Sequence, residues 1–212
     1  MGSLAMNELK PIAPLADLER DALTEIANIA MGRAATSLGQ MVHREVRLTV
    51  PSIEIVAKDR ASEIVATSDD SKLIAVRQDF RGPFSGRAIL IFPEINSLDL
   101  VQIIVGRELS PEDILDLEEE ALAETGNIIL NCWVATLANL LKHNLTMSLP
   151  VVVHGYRRQM FEVANDDAQL VLFVHINFSV SDTKLSGYLA LLMDIPSMDA
   201  LRALIADYIA SF

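Results

Sequence analysis

The sequence predicts an α+β fold of two α-β3-α halves related by a pseudo-two-fold, sharing one sheet, with a long helix from each half packed together. Three observations carry this expectation. A block of 31 residues recurs without a gap, each copy has apolar residues at helical spacing, and each is followed by strand-like runs and a closing helix.

Asp21 to Pro51 aligns with Glu120 to Pro150 at an offset of 99 residues. Identities fall at Ala22/Ala121, Leu23/Leu122, Glu25/Glu124, Asn28/Asn127, Ile29/Ile128, Leu38/Leu137 and Pro51/Pro150. The match continues from Ile74–Phe80 to Leu172–Phe178, from Ser85-Gly86 to Ser186-Gly187, and from Ser97-Leu98-Asp99 to Ser197-Met198-Asp199. Its offset drifts by one or two residues, as loop insertions produce. The expected organisation is one domain, 6–212, built of repeats at about 15–106 and 110–212. Residues 1–5 read as an expression scar before Met6.

The long helices are expected at about 15–43 and 111–143. Leu23, Ile26, Ala30, Ala34, Leu38 and Met41 form the apolar stripe of the first, and Leu122, Ile129, Trp133, Leu137 and Leu140 that of the second. Ser110 as N-cap, Pro111 at the first helical position and acidic Glu112 and Asp113 mark the second start. Pro51 and Pro150 are structural, marking each turn into extended chain, because proline cannot continue a helix. Strands follow at Ser52–Ala57, Leu73–Phe80 and Gly86–Phe92, then at Val151–Tyr156, Leu170–Val180 and Gly187–Met193. Short helices at Ser97–Val105 and Ser197–Ile209 close the halves.

Composition narrows the function. Seventeen Lys and Arg against 29 Asp and Glu leave a net charge of −12, which argues against a nucleic acid or an anionic membrane as partner. No apolar run reaches the roughly 18 residues of a membrane span, and the first residues lack the features of a secretory signal. The one cysteine, Cys132, fits a reducing compartment, so a cytoplasmic location is expected. Four histidines, at 43, 143, 154 and 175, show no metal-ligand spacing, and no metal site is assigned.

The polar residues kept by both copies are more specific. Asp21, Glu25 and Asn28 fall within a wedge of about 60° on one helix face, and Gly32 and Ala35 continue it with small side chains. Glu120, Glu124, Asn127 and Asn131 repeat the arrangement. Carboxylates on an amphipathic helix are ordinarily a solvated face. Asn, however, favours caps over helix interiors, and here it recurs mid-helix, three residues after a Glu, at one register of a diverged repeat. Packing explains retained core residues; a retained exposed Glu and Asn point to function. No nucleophile–base pair accompanies them. An Asn amide can orient a water and a Glu can pair with a partner's Lys, so the two would complete a site supplied largely by another molecule.

The pattern Asp21-x3-Glu25-x2-Asn28-x22-Pro51, with Glu120-x3-Glu124-x2-Asn127-x22-Pro150, resembles the CheC-type phosphatases of bacterial and archaeal chemotaxis, the CheC/CheX/FliY family. Asn28 to Leu38 is similar to that family's first-helix signature, and the resemblance spans about Leu15 to the end. It implies a CheC-like fold and a protein phosphatase that hydrolyses phosphoaspartate on a CheY-like response regulator, in chemotaxis or a related two-component pathway. It also implies catalytic roles for Glu25, Asn28, Glu124 and Asn127, with Asp21, Glu120 and Gly32 on the substrate-binding rim. No intrinsic cofactor is implied; Mg²⁺ and a lysine belong to the regulator, and a CheD-type deamidase is a second candidate partner. Glu120 stands where the family has Asp or Ser, Ala27 and Thr125 depart from Glu-Ile-Gly-Asn, and Arg33 replaces a common Asn. The alternative is a non-catalytic regulator- or CheD-binding module related to flagellar switch proteins, some of which lack the Glu/Asn pair.

Overall fold

The computed structural model describes residues 14–65, 71–105, 111–162, 170–180 and 183–211. The first part runs α1 (Asp17–Val42), β1 (Val46–Ala57), α2 (Lys58–Ile64), β2 (Lys72–Arg81), β3 (Gly86–Pro93), a 3-10 turn at Glu94–Asn96 and α3 (Ser97–Val105). The second runs α4 (Pro111–Leu140), β4 (Thr146–Met147), β5 (Val151–Tyr156), α5 (Arg157–Met160), β6 (Leu170–Val180), β7 (Thr183–Met193) and α6 (Ile195–Ala210).

All seven strands join one antiparallel sheet in the order β1-β6-β7-β3-β2-β4, with β5 also on β2. The two parts are interleaved. Among the described residues β1 pairs only with β6, β5 pairs only with β2, and β3 and β7 meet in the middle. The expected shared α+β sheet is therefore present, and α1 packs along α4 on one side of it.

Period-two alternation sends each strand's side chains to two cores. Ile74, Val76, Phe80, Leu90, Phe92, Leu172, Val174, Ile176, Leu189 and Leu191 pack with α1, α4 and α6. Leu73, Ala75, Ile89, Ile91, Val171, Phe173, Ala190 and Leu192 pack beneath α2 and α5 through Ala61, Val65, Met160 and Phe161. A sheet covered on both faces accounts for the unbroken apolar run Leu170–Val174 that opens β6.

β7 begins at Thr183, four residues before the expected Gly187, and an unexpected two-residue strand, β4, precedes Pro150. The structure corrects the expectations in three further places. Short helices α2 and α5 follow the first long strand of each part; at seven and four residues they are too brief to show helical periodicity. Pro51 does not mark the entry to the strand: β1 begins at Val46 and passes through Pro51 at a shift in register between Thr49 and Ser52. On an edge strand the missing N–H is tolerated. Pro150, in contrast, stands immediately before β5. The third correction is the start of α6, two residues early at Ile195, where Asp194 caps it by accepting from Ser197 N at 2.7 Å. Ser110, the predicted N-cap, and residues 1–5 lie outside the described residues, as do the side chains of Glu112 and Asp113.

Candidate functional site

On α1 the buried stripe Leu23, Ile26, Ala27, Ala30, Ala34 and Leu38 turns the opposite face outward. Asp21, Glu25 and Asn28 are all exposed there, and none makes a side-chain hydrogen bond or ion pair among the described residues. Gly32 lies one turn beyond Asn28; a Cβ built on it would meet nothing within 4 Å. This is an open face with a carboxylate and an unengaged carboxamide side by side.

On α4 the same register looks different. Glu120 and Glu124 are exposed and make no such contacts among the described residues, but Asn127 is half-buried. Its Oδ1 accepts from Asn131 Nδ2 at 2.6 Å and from Gln78 Nε2 at 3.2 Å. Gln78, on β2, is 2% exposed and also donates to the Ser148 carbonyl at 2.9 Å. Its own Oε1 is buried without a partner among the described residues. Such an orphaned acceptor costs about 1–3 kcal/mol.

Ser148 ties this network to the chain before β5. Asp79 N donates to Ser148 Oγ at 2.9 Å and Ser148 N donates to the Asp79 carbonyl at 2.9 Å. The next residue, Leu149, is 84% exposed, whereas Val50, its counterpart before Pro51, is buried. The second face thus carries an exposed apolar residue from the chain before its strand, whereas the exposed apolar residue on the first, Leu18, comes from α1 itself. Two contacts permit the arrangement. Gly126, next to Asn127, lets α4 approach β2, since a Cβ there would stand 2.5 Å from Val76 Cβ. Arg33 on α1 donates to Thr136 on α4 at 3.3 Å, joining the two helices.

All the expected site residues thus lie on α1 and α4, with each Glu one turn from its Asn. Sequence reasoning missed Gln78, Ser148 and Leu149. A signal was available for Gln78 alone, a polar residue at the core-facing register of β2 between Val76 and Phe80. Among the described residues no group of three or more His, Cys, Asp or Glu is arranged to hold a metal, and no helix is long and apolar enough to cross a membrane.

Residues 18–55 match the model of the CheC-like family. That segment holds Asp21, Glu25, Asn28, Gly32 and Pro51. The chain is 27% identical over 140 residues to the CheY-P phosphatase CheC of Bacillus subtilis, covering 63% of this chain and 65% of that one. It is 22% identical over 147 residues to the flagellar motor switch phosphatase FliY of the same organism, covering 68% of this chain and 38% of FliY. The alignments therefore span less than two thirds of either relative. The crystal structure of Thermotoga maritima FliY superposes with a TM-score of 0.71 at 19% identity, covering 93% of this chain and 98% of that one.

Proposed function

We propose that this chain, a CheC-type protein by its family segment and its relatives, is an aspartyl-phosphate phosphatase acting on a phosphorylated CheY-like response regulator. One observation carries the reading: two helix faces each present an exposed Glu three residues before an Asn, and neither carries a nucleophile. Such a face can complete an active site that another molecule brings, and the relative named CheY-P phosphatase supports a phosphorylated CheY-like protein as that molecule.

In this reading the regulator docks its phosphoaspartate against α1 or α4. The carboxamide of Asn28 or Asn127 holds a water in line with the phosphorus. The water oxygen bonds to phosphorus as the bond to the aspartate oxygen breaks, releasing inorganic phosphate and a free carboxylate. The rate gain comes from positioning, with no covalent intermediate on this chain. Glu25 or Glu124 pairs with the regulator's lysine, which fixes the docking angle. Mg²⁺ bound to the regulator supplies charge neutralisation at the phosphoryl group.

The test follows loss of phosphoryl label from response regulators with wild type, Asn28→Ala, Asn127→Ala and the double variant. Acceleration by wild type that the double variant abolishes is expected. No acceleration with any regulator would overturn the enzymatic reading in favour of a binding module, and full activity in the double variant would overturn the site assignment.

A further inference from the structure

The two faces share a register but not a chemistry beneath it. The residue after each proline pairs across the sheet, Val151 with Arg77 and Ser52 with His175. The next residues, Gln78 on β2 and Ile176 on β6, therefore hold matching positions. Both are buried, yet Ile176 is hydrocarbon while Gln78 is a carboxamide with one unmet acceptor. Burying that amide is unfavourable where an aliphatic side chain is accommodated at the matching position, so stability does not account for Gln78. A similar divergence occurs on the helices. Four residues after the Asn, α1 has Gly32 and α4 has Asn131.

Both departures act on one atom. Gln78 Nε2 and Asn131 Nδ2 converge on Asn127 Oδ1, so the two lone pairs of that oxygen are engaged and the plane of the carboxamide is set. What Asn127 has left to offer is its Nδ2 donor pair. Asn28 keeps donor and acceptor alike and must be ordered by whatever docks on it.

We propose that Gln78 is a positioning residue for the second site: with Asn131 it locks Asn127 as a hydrogen-bond donor, so that the α4 face is preorganised and the α1 face adapts on binding. The proposal rests on the phosphatase reading for its kinetic consequence but not for its structural one. A donor-only Asn127 accepts nothing from the attacking water; it holds the water oxygen through one lone pair and leaves the other for phosphorus. Because Gln78 also grips the Ser148 carbonyl, the orientation of Asn127 is fixed relative to the exposed Leu149 beside it.

Gln78→Met keeps the volume and removes the donor. In an Asn28→Ala background, where only the second site works, it should lower kcat about tenfold, the worth of one lost positioning hydrogen bond, while KM for the phosphorylated regulator stays within about twofold. In an Asn127→Ala background with Asn28 intact, where only the first site works, Gln78→Met should leave kcat unchanged, as coupling through Asn127 requires. An equal loss with and without Asn127, or no loss in the Asn28→Ala background, would overturn the proposal. A second measurement needs no regulator. In ¹⁵N-labelled protein the side-chain NH₂ of Asn127 should be rigid on the fast timescale and that of Asn28 mobile, and Gln78→Met should release Asn127. If wild-type Asn127 is as mobile as Asn28, the positioning is refuted whatever the enzyme does. If it is rigid and no regulator is dephosphorylated, the phosphatase reading fails by itself.

Discussion

Gly126 and Val76 stand so close that a Cβ on the glycine would come within 2.5 Å of Cβ and Cγ1 of the valine. Gly126→Ala gains up to about 1 kcal/mol of helix propensity but overpacks the contact between α4 and β2, at a cost of about 1–3 kcal/mol. Net destabilisation is expected, and Val76→Ala should partly relieve it. Trp133 is fully buried and is the one tryptophan of the chain, so its fluorescence in urea reports each variant directly.

Glu25 is exposed, and in the proposed complex it forms a surface ion pair worth about 0.2–1 kcal/mol. Glu25→Gln in an Asn127→Ala background should therefore raise KM for the phosphorylated regulator by at most about fivefold, with kcat nearly unchanged. The difference should shrink in high salt. A fall in kcat at constant KM would contradict this docking role.

Glu19 on α1 accepts from Arg202 on α6, with Nη2 to Oε2 at 2.8 Å and Nε to Oε1 at 3.2 Å. The guanidinium holds the Glu19 carboxyl below its ordinary range; burial opposes this, and the Ala16 N–H adds to the lowering. A depressed carboxyl contributes its stability in full above the unfolded value, near about 4.3, and loses it as pH falls through the folded value. Glu19→Gln should cost about 1–2 kcal/mol at neutral pH. Unfolding measured at descending pH should show the gap between wild type and variant closing on the acid side.

Burial raises the Cys132 thiol above its usual range, and the charge of Arg33 offsets this only in part. Thiolate is the reactive form, so native Cys132 should be alkylated more slowly at neutral pH than in the urea-unfolded chain. Arg33→Ala should slow it further. Equal rates in folded and unfolded protein would contradict the burial.

Much of this was legible in the sequence. The long apolar stripes placed α1 and α4 to within a few residues, because roughly eight turns of repeated spacing leave little ambiguity. Ser97–Val105 was located outright. The strand start at Val46 was not, although Val46, Leu48 and Val50 alternate with polar residues, because Pro51 reads as a boundary and an edge strand tolerates it. Residues of the site on one helix were visible, since their relationship is helical geometry. Gln78 lies 49 positions before Asn127, and only the sheet brings the two together. Nothing local announces such a contact.

The interleaving of β1 with β6 and of β5 with β2 has a consequence for how the chain is made. An N-terminal stretch ending near residue 105 has left the ribosome complete in helices yet lacks any partner for β1 until Leu170–Val180 has been synthesised. β2 and β3 can pair with each other at once, but β1 must wait, and pairing across so long a separation is slow. Neither half should survive as a separate fragment, whereas the two expressed together should reconstitute one sheet. During that wait the bare backbone of β1 is the segment most in need of a chaperone.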